Sequence, residues 1–323
     1  MSVIGIFKDI TDSGPNRALV RPITYRPFDT RFTYYTGRSR GMMGWPVDRV
    51  MRHMLVEGNL GLSTTRSVET GEYSHVYTID KLSTHHTVSI KEVNYSFPLW
   101  LLSEDGAQER TRIPNLSPVF LEALAQTLGR HAEPSGLPEN TTPDDVLAYC
   151  YAVLHAPSYR NRYTEFLKGD FPRIPLAAVA GSELSFAEIW DALIPLGRQL
   201  IDLHVLKDLF GEKSANFPKQ GGNEVGKPRY EPPREGQPGR VWINATQYFE
   251  GIEPETWVFK IGGYQVCEKW LKDRKGRILD FNDIQHYGKI IAALTQTRAL
   301  MAQIDSAANG RLWPRSGPST EQD

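Results

Sequence analysis

The sequence contains few of the features that mark a secreted or membrane protein. Its only cysteines, Cys150 and Cys267, are too far apart in sequence for a zinc motif or a disulfide framework. No apolar run approaches the ~20 residues that a membrane-spanning helix needs. The N-terminus has Lys8 after a short apolar patch and lacks the small-residue cleavage site of a secretory signal. These absences predict a cytoplasmic protein without membrane association.

The chain also lacks the motifs of common DNA-modifying enzymes. It has no Gly-x-x-x-x-Gly-Lys-Ser/Thr loop for ATP, no Asn-Pro-Pro-aromatic loop for an extruded adenine and no glycine-rich turn for a methyl donor. The nearest sequences are Glu231-Pro232-Pro233-Arg234, with the wrong outer residues, and Glu165-Phe166-Leu167-Lys168, one residue too long for the Glu-x-Lys of a nuclease. We therefore expect no catalytic residue and no cofactor in this chain.

The histidines show no metal-binding pattern. His85 and His86 are adjacent, and adjacent residues on a strand point to opposite faces. No His-x-x-x-His or His-Glu-x-x-His spacing occurs. The sequence predicts a structural or surface role for this pair and no metal site.

Positive charge is unevenly distributed, although the net charge is only −1. Between Arg17 and Arg66 the sequence has nine arginines, no lysine and three acidic residues. A merely solubilising surface would use lysine as often, whereas arginine supplies a planar fork that fits phosphate or guanine. The pattern favours recognition of a polyanion; a solvated basic surface is the alternative.

The pattern of apolar and turn-forming residues predicts an α+β fold with a strand-rich N-terminal part. Residues 21–113 are expected to form one mixed sheet with arginine-rich turns. Two of its strands are predicted at Thr87–Glu92 and Tyr95–Leu102, and a short helix at Val47–Leu55.

The rest of the chain is predicted to be mainly helical, with a closing module of strands and helices. Residues 114–210 contain helix starts at Ser117-Pro118, Thr142-Pro143 and the Ser185–Glu188 capping box, and the last helix is expected to reach Phe210. Residues 211–240 hold six glycines and five prolines and predict a flexible loop. Residues 241–305 form the closing module, and residues 306–323 are expected to be a disordered tail.

Four sequence blocks, in order, resemble the C-terminal target-recognition (specificity) domain of type ISP restriction–modification enzymes. They are Ile23–Tyr35 with the run YRPFDTRFTYY, Arg112–Ser117, Asp145–Pro175 with the run YAVLHAPSYR, and Trp242–Arg277 with the run GGYQVCEKWLKDRKGR. The likeness covers roughly residues 18–305. Type ISP enzymes combine a nuclease, a translocase, an adenine-N6 methyltransferase and a DNA-reading domain in one chain.

The resemblance implies sequence-specific binding of duplex DNA by a domain that positions a methyltransferase and nuclease encoded elsewhere or lost. Residues 1–20 would be a remnant of the preceding methyltransferase region, and residues 21–305 the target-recognition domain. It further implies bacterial phage defence and a methyltransferase or translocase polypeptide as a second partner. S-adenosylmethionine, ATP and Mg²⁺ would serve only the missing catalytic domains.

The resemblance and the charge pattern together define the DNA-binding candidates. The arginines are expected to contact phosphates, with at least one forking onto a guanine edge, and the glutamines suit adenine. A cation cluster at a helix end suits phosphate. The complete set is Arg26, Arg31, Arg38, Arg40, Arg173, Gln247, Tyr264, Gln265, Lys272, Arg274, Lys275 and Arg277.

Structural alternatives exist for these groups. Arg26 can pair with Asp29 to fix the turn between two strands. The helix-end cations can instead stabilise the negative end of their own helix, by ~0.3–1 kcal/mol. The aromatic residues of the last block, among them Trp242 and Trp270, fit a core better than a base-stacking platform, because duplex reading seldom uses stacking.

Two alternatives apply to the chain as a whole. One is a protein-interaction subunit that docks on a methyltransferase through a sheet edge and apolar surface left bare by the missing catalytic half. The other is a non-functional truncated gene product.

Overall fold

The computed structural model describes residues 3–43, 46–103, 111–207 and 215–315, and their architecture is α+β. The helices are α1 Val3–Ser13, α2 Asp48–Met51, α3 Pro118–Leu128, α4 Pro143–His155, α5 Pro157–Arg162, α6 Thr164–Gly169, α7 Phe186–His204, α8 Pro254–Trp257, α9 Val266–Lys272 and α10 Phe281–Ala308. The strands are β1 Val20–Arg26, β2 Asp29–Tyr34, β3 Gly61–Thr65, β4 Val76–Ile79, β5 Leu82–Ser83, β6 Asn94–Pro98, β7 Trp100–Leu102, β8 Arg112–Pro114, β9 Arg229–Glu231, β10 Arg240–Trp242, β11 Tyr248–Glu250, β12 Lys260–Ile261 and β13 Tyr264–Gln265. No described helix is both long and apolar enough to cross a bilayer.

The N-terminal strands form several small sheets instead of the single sheet expected. One has the order β2-β1-β5, with β1 antiparallel to β2 and parallel to β5, and another has the antiparallel order β4-β3-β6. The strand predicted at Thr87–Glu92 is wrong. There the Asn94 side chain accepts hydrogen bonds from the Val88 and Ser89 backbone (2.6 and 3.3 Å), so side chains replace strand partners.

The turn between β1 and β2 is held in a strained conformation. Phe28 has φ of +60°, a region that bulky residues rarely occupy. Its backbone N donates to Tyr77 Oη (3.0 Å), and its carbonyl accepts from His286 Nε2 (2.7 Å). These bonds from β4 and α10 hold the turn in place and position Asp29, the residue that follows it.

Helices α4, α7 and α10 pack together beside the small sheets. Capping boxes begin all three, at Thr142, Ser185 and Asp280. Gly197 lets α7 approach α4 closely, because a Cβ there would lie 2.0 Å from the Ala148 carbonyl oxygen. The helix starts at Pro118 and Pro143 are confirmed. The expected extension of α7 to Phe210 is wrong for 205–207, because α7 ends at His204 and a turn follows; residues 208–210 lie outside the described part.

A buried polar cluster connects the strand-rich part to these helices. Tyr77 Oη donates to the His204 carbonyl (2.6 Å), and Tyr151 Oη bonds His204 Nδ1. His204 Nε2 lies 3.0 Å from Thr297 Oγ1. The cluster thus joins β4, α4, α7 and α10 through one histidine.

Two segments predicted to lack order are structured where they are described. The loop at 215–240 contains β9, and Val225 N donates to the Arg277 carbonyl (2.9 Å). At the C-terminus α10 continues to Ala308, and Trp313 is buried with Nε1 donating to Ser158 Oγ (2.8 Å). The prediction of a tail disordered from residue 306 is therefore wrong for 306–315; residues 211–214 and 316–323 lie outside the described part.

Candidate nucleic-acid interface

The first and last sequence blocks meet at one buried carboxylate. Asp29 Oδ2 accepts from Arg31 Nη2 (3.1 Å) and Asp29 Oδ1 accepts from Arg274 Nη2 (2.9 Å), although Asp29 and Arg274 are 245 residues apart. The side chains of Asp29 and Arg274 are only 2% and 9% exposed, whereas that of Arg31 is 42% exposed. A buried acid thus holds one arginine inside and presents another to solvent.

Further acids extend this contact into what we call the Asp29 network, defined as Asp29, Arg31, Asp273, Arg274, Arg277 and Asp283. Asp283, in the first turn of α10, lies 3.9 Å from Arg274 Nε and 3.7 Å from Arg277 Nη2. Asp273, after α9, lies 4.0 Å from Arg31 Nη2. The network therefore ties the β1–β2 hairpin, the end of α9 and the start of α10 into one surface.

A column of stacked side chains orients Arg31. Its guanidinium carbon lies 3.8 Å from the centre of the Tyr25 ring, and the Arg26 guanidinium carbon lies 4.3 Å from the same ring. Arg26 also lies 4.8 Å from the Tyr264 ring. Such cation–π contacts are attractive, and the flat guanidinium group can stack on the face of the ring. Within the described residues, carboxylates engage only Nη2 of Arg31, so its Nη1 and Nε remain available as donors.

Arg26 and Arg274 lie inside the protein. Arg26 Nη1 donates to the carbonyls of Tyr25 (3.0 Å) and His86 (2.7 Å). Asp29 does not pair with Arg26, which was the structural alternative. It pairs with Arg31 and Arg274. Arg274 lies 3.5 Å over the Trp270 ring and donates to the Trp270 carbonyl (3.1 Å). Both arginines therefore lie beneath the surface and hold the side chains above them in place.

The glutamine and tyrosine candidates also have internal partners. Gln247 is 1% exposed; its Nε2 donates to Lys219 O (3.1 Å) and Asn223 Oδ1 (2.7 Å), and its Oε1 accepts from Asn223 N (2.8 Å). Gln265 Nε2 donates to the Trp257 carbonyl (2.9 Å). Tyr264 Oη donates to the His86 carbonyl (2.8 Å), and burial raises the pKa of this phenol, so it stays protonated. In this conformation the Gln247 amide has no capacity left for a base edge.

The cations at the end of α9 remain on the surface. Lys272 pairs with Glu268 (2.8 Å) and Arg277 with Asp283 (3.7 Å), and both side chains are more than half exposed. Lys275 is exposed and has no carboxylate within 4.0 Å in the described part of the chain. Together with Arg31 they form the solvent-facing positive groups around the Asp29 network.

The other arginine candidates lie in separate segments. Arg38 Nη1 is 3.6 Å from Asp12 of α1. The loop carrying Arg38 and Arg40 packs against α1 so closely that a Cβ on Gly5 would lie 2.3 Å from the Arg40 carbonyl oxygen. Arg173 is exposed in the segment after α6, where its carbonyl accepts from Tyr159 Oη (2.7 Å). The described contacts connect none of these three arginines to the Asp29 network.

The histidine pair differs from expectation. His85 and His86 lie in a turn, not on a strand, and their ring centres are 3.9 Å apart, so the prediction that they point to opposite faces is wrong. Burial, His86 and Arg26 lower the pKa of His85. No group of three or more metal-ligating side chains occurs among the described residues.

The sequence did not reveal Tyr25 and Asp283 as organisers of the surface, and the structural alternative considered for Asp29 named Arg26 as its partner. The even spacing of Asp29 and Arg31 in one strand was a usable signal, because residues two apart share a face. For Gln247, the preceding Asn244 was the signal: Asn244 Oδ1 accepts from Thr246 N (3.0 Å) and Gln247 N (2.8 Å), a turn that points the glutamine inwards.

The family described as "Type ISP C-terminal specificity domain" matches residues 5–303. No curated protein sequence matches the chain.

Among solved structures, the "ATP-dependent Type ISP restriction-modification enzyme LlaBIII bound to DNA" is similar, with a TM-score of 0.63 and 17% identity over 88% of this chain and 18% of that chain. The "DrdV-DNA complex" gives a TM-score of 0.66 and 18% identity over 90% and 28%. A nuclease-deletion mutant of the type ISP enzyme LlaGI in complex with a DNA substrate mimic gives 0.57 and 19% identity over 90% and 25%. The chain thus spans less than a third of each of these proteins and shares the fold of that portion.

Proposed function

Because the chain belongs to the family of type ISP C-terminal specificity domains, we propose that it binds duplex DNA in a sequence-dependent manner through the surface around the Asp29 network. The observation that carries this proposal is the buried Asp29 carboxylate, which joins Arg31 to Arg274 and so brings the two blocks with the strongest DNA-binding chemistry together. The similar solved structures are described as DNA complexes, which supports the same conclusion.

The geometry suggests a division of roles. Arg31 is the proposed base-reading residue, because it is stacked on Tyr25, fixed by Asp29 and still exposes a free donor edge. Lys272, Lys275 and Arg277 are the proposed phosphate contacts. Arg26 and Arg274 have an indirect role: Arg26 supports the Tyr25 ring, and Arg274 supports the Asp29 carboxylate.

The wider context of the proposal is a restriction–modification system. In it, the domain positions a methyltransferase and a nuclease on their target. S-adenosylmethionine, ATP and Mg²⁺ serve those catalytic domains.

Salt dependence tests the DNA proposal directly. Binding of the full chain to a random-sequence duplex should weaken steeply from low to physiological salt, because each neutralised phosphate releases counterions. The K275Q/R277Q double variant should bind less tightly and lower the slope of log affinity against log salt by about 2, or about 1 per lost contact. Gel shift or fluorescence anisotropy measures both quantities.

The matched control is Lys227→Gln, which removes another exposed lysine outside the network and should leave the slope unchanged. Undetectable binding, salt-independent binding or an equal slope in the double variant would each contradict the proposal.

A second candidate, docking on a partner polypeptide, is favoured by the opposite face of the β1–β2 hairpin. Pro22 and Phe32 are paired across the strands, so they share a face, and Phe32 points away from its neighbour Arg31. Phe32 is 74% exposed, and Val20 on the same face is 45% exposed. Native mass spectrometry of the chain with a candidate methyltransferase polypeptide tests this: a complex that F32S abolishes supports docking, and no complex rejects it.

A further inference from the structure

A cleft of about 860 Å³ opens where the parts of the fold meet, away from the Asp29 network. Its walls are the segment 70–75 after β3, the turn 89–92 before β6, the start of α5 and the Gly262-Gly263 turn between β12 and β13. None of the six residues of the Asp29 network lines it. Its volume lies in the range of ~300–1,000 Å³ typical of small-molecule sites, which favour junctions of this kind.

Three cations line the cleft, and none of them forms an ion pair with a described carboxylate. Lys91, Arg160 and Lys260 have no carboxylate within 4.0 Å among the described residues. Arg160 Nε donates to the Leu154 carbonyl (2.6 Å), which fixes the side chain and leaves its two Nη groups for a ligand. Burial lowers the pKa of Arg160 to about 10, so the guanidinium is still charged at neutral pH.

The acids of the cleft do not cancel this charge completely. Glu92 is buried and turned into the protein, where it accepts from the Ser89 hydroxyl and from Glu69 N (3.1 Å). Glu72 is the other carboxylate of the wall. The cleft therefore presents three cations around one outward acid.

The remaining wall is apolar. Ile90 and Val258 are 58% and 57% exposed at the cleft, and Met301 adds a thioether. His75 lies beneath this wall, only 4% exposed, with its Nε2 3.8 Å from the Glu92 carboxylate. A flat apolar ring would cover Ile90 and Val258.

We propose that this cleft binds a nucleoside phosphate, with Lys91, Arg160 and Lys260 on the phosphate and Ile90 and Val258 against the base. The cations match a phosphate, and an exposed apolar wall matches the face of a nucleobase. The same chemistry is presented by a free nucleotide and by a nucleotide extruded from bound DNA. Binding of a free nucleotide in this cleft does not depend on the surface proposed for duplex DNA.

The first experiment is isothermal titration calorimetry of the full chain with dAMP and with ATP, comparing wild type, K91Q/K260Q and the control Lys227→Gln. Arg160 is left intact because it supports the end of α4. Saturable binding by wild type and the control, weakened by about tenfold or more in the double variant, supports a free ligand. If the nucleotide affinity of the double variant equals that of the control, whether both fall or neither falls, the proposal is overturned.

The second experiment separates the DNA source. Anisotropy compares a fully paired duplex with the same duplex carrying one unpaired nucleotide. A preference of wild type for the unpaired nucleotide, lost in K91Q/K260Q, assigns the cleft to a nucleotide of bound DNA. No binding of either mononucleotide together with equal affinity for the two duplexes overturns the inference. Failure of duplex binding with mononucleotide binding retained would reject the proposed function alone.

Discussion

Single residues determine how this surface is held together, and Asp29 shows why their burial matters. Removing one partner of a buried ion pair leaves the other charge in a poorly solvated site, so the loss exceeds the benefit of forming the pair. Asp29 and Arg274 are in that position, whereas the pair of Arg66 with Asp170 is exposed to water on both sides. Similar distances, 2.9 and 3.0 Å, therefore carry different energetic consequences.

Asp29→Asn is expected to lower the free energy of unfolding by about 3 kcal/mol, because Arg274 stays buried and loses the nearer of its two carboxylates, keeping only Asp283 at 3.9 Å. Urea denaturation followed by circular dichroism measures this. Asp170→Asn is the matched control and should change the midpoint little, because water screens its pair. Equal effects of the two substitutions would show that the Asp29 pair is not a structural requirement.

Elements were predictable from sequence where their signals are local. The capping box at Ser185 and the prolines after Ser117 and Thr142 marked helix starts correctly, since these signals involve only residues within one turn. Strand pairing was not predictable from sequence. β1 has β5 as a parallel partner, and the backbone of the Thr87–Glu92 segment forms hydrogen bonds with side chains.

For the candidate site, the four sequence blocks could be recognised, but nothing in the local sequence distinguished the buried Arg274 from the exposed Arg31.

The Gly262-Gly263 turn provides a prediction at the scale of elements. Gly262 has φ of +57°, and a Cβ there would lie 1.8 Å from the Val88 carbonyl oxygen. Gly262→Ala should therefore separate the closing module from the strand-rich part and cost about 3 kcal/mol of unfolding free energy.

Its neighbour is the control: a Cβ on Gly263 would lie 3.6 Å from Ser89 Oγ, the nearest atom outside the adjoining residues, so Gly263→Ala should be tolerated. Thermal unfolding compares the two. A Gly262→Ala protein as stable as Gly263→Ala would contradict the close approach of these backbones.

The whole molecule depends on the polar cluster that links β4, α4, α7 and α10. Burial lowers the pKa of His204 to about 3, and burial, Arg160 and His204 lower that of His155. Both histidines are therefore neutral in the folded protein at pH 7. In the unfolded chain each would take a proton near its ordinary value of 6.5.

Stability should consequently be greatest above pH 6.5 and fall as the pH decreases below 6.5. For His204 the fall is about 1.4 kcal/mol per pH unit and continues to about pH 3, and His155 adds a fall in the same direction. His204→Gln should be less stable at pH 7, yet its unfolding free energy should depend less on pH, by about one proton, between pH 6 and 4. Urea denaturation at several pH values measures the slope. The exposed His131→Gln should retain the wild-type slope, and an unchanged slope in His204→Gln would contradict the prediction.

The contact between Asp29 and Arg274 joins chain positions 245 residues apart. Closing so long a loop is slow and comes late in folding. During synthesis, a nascent chain that ends at residue 270 already has Asp29 and Arg31, but it lacks Arg274, the second partner of Asp29. The surface proposed for DNA is thus assembled only after α9 and Arg274 have left the ribosome.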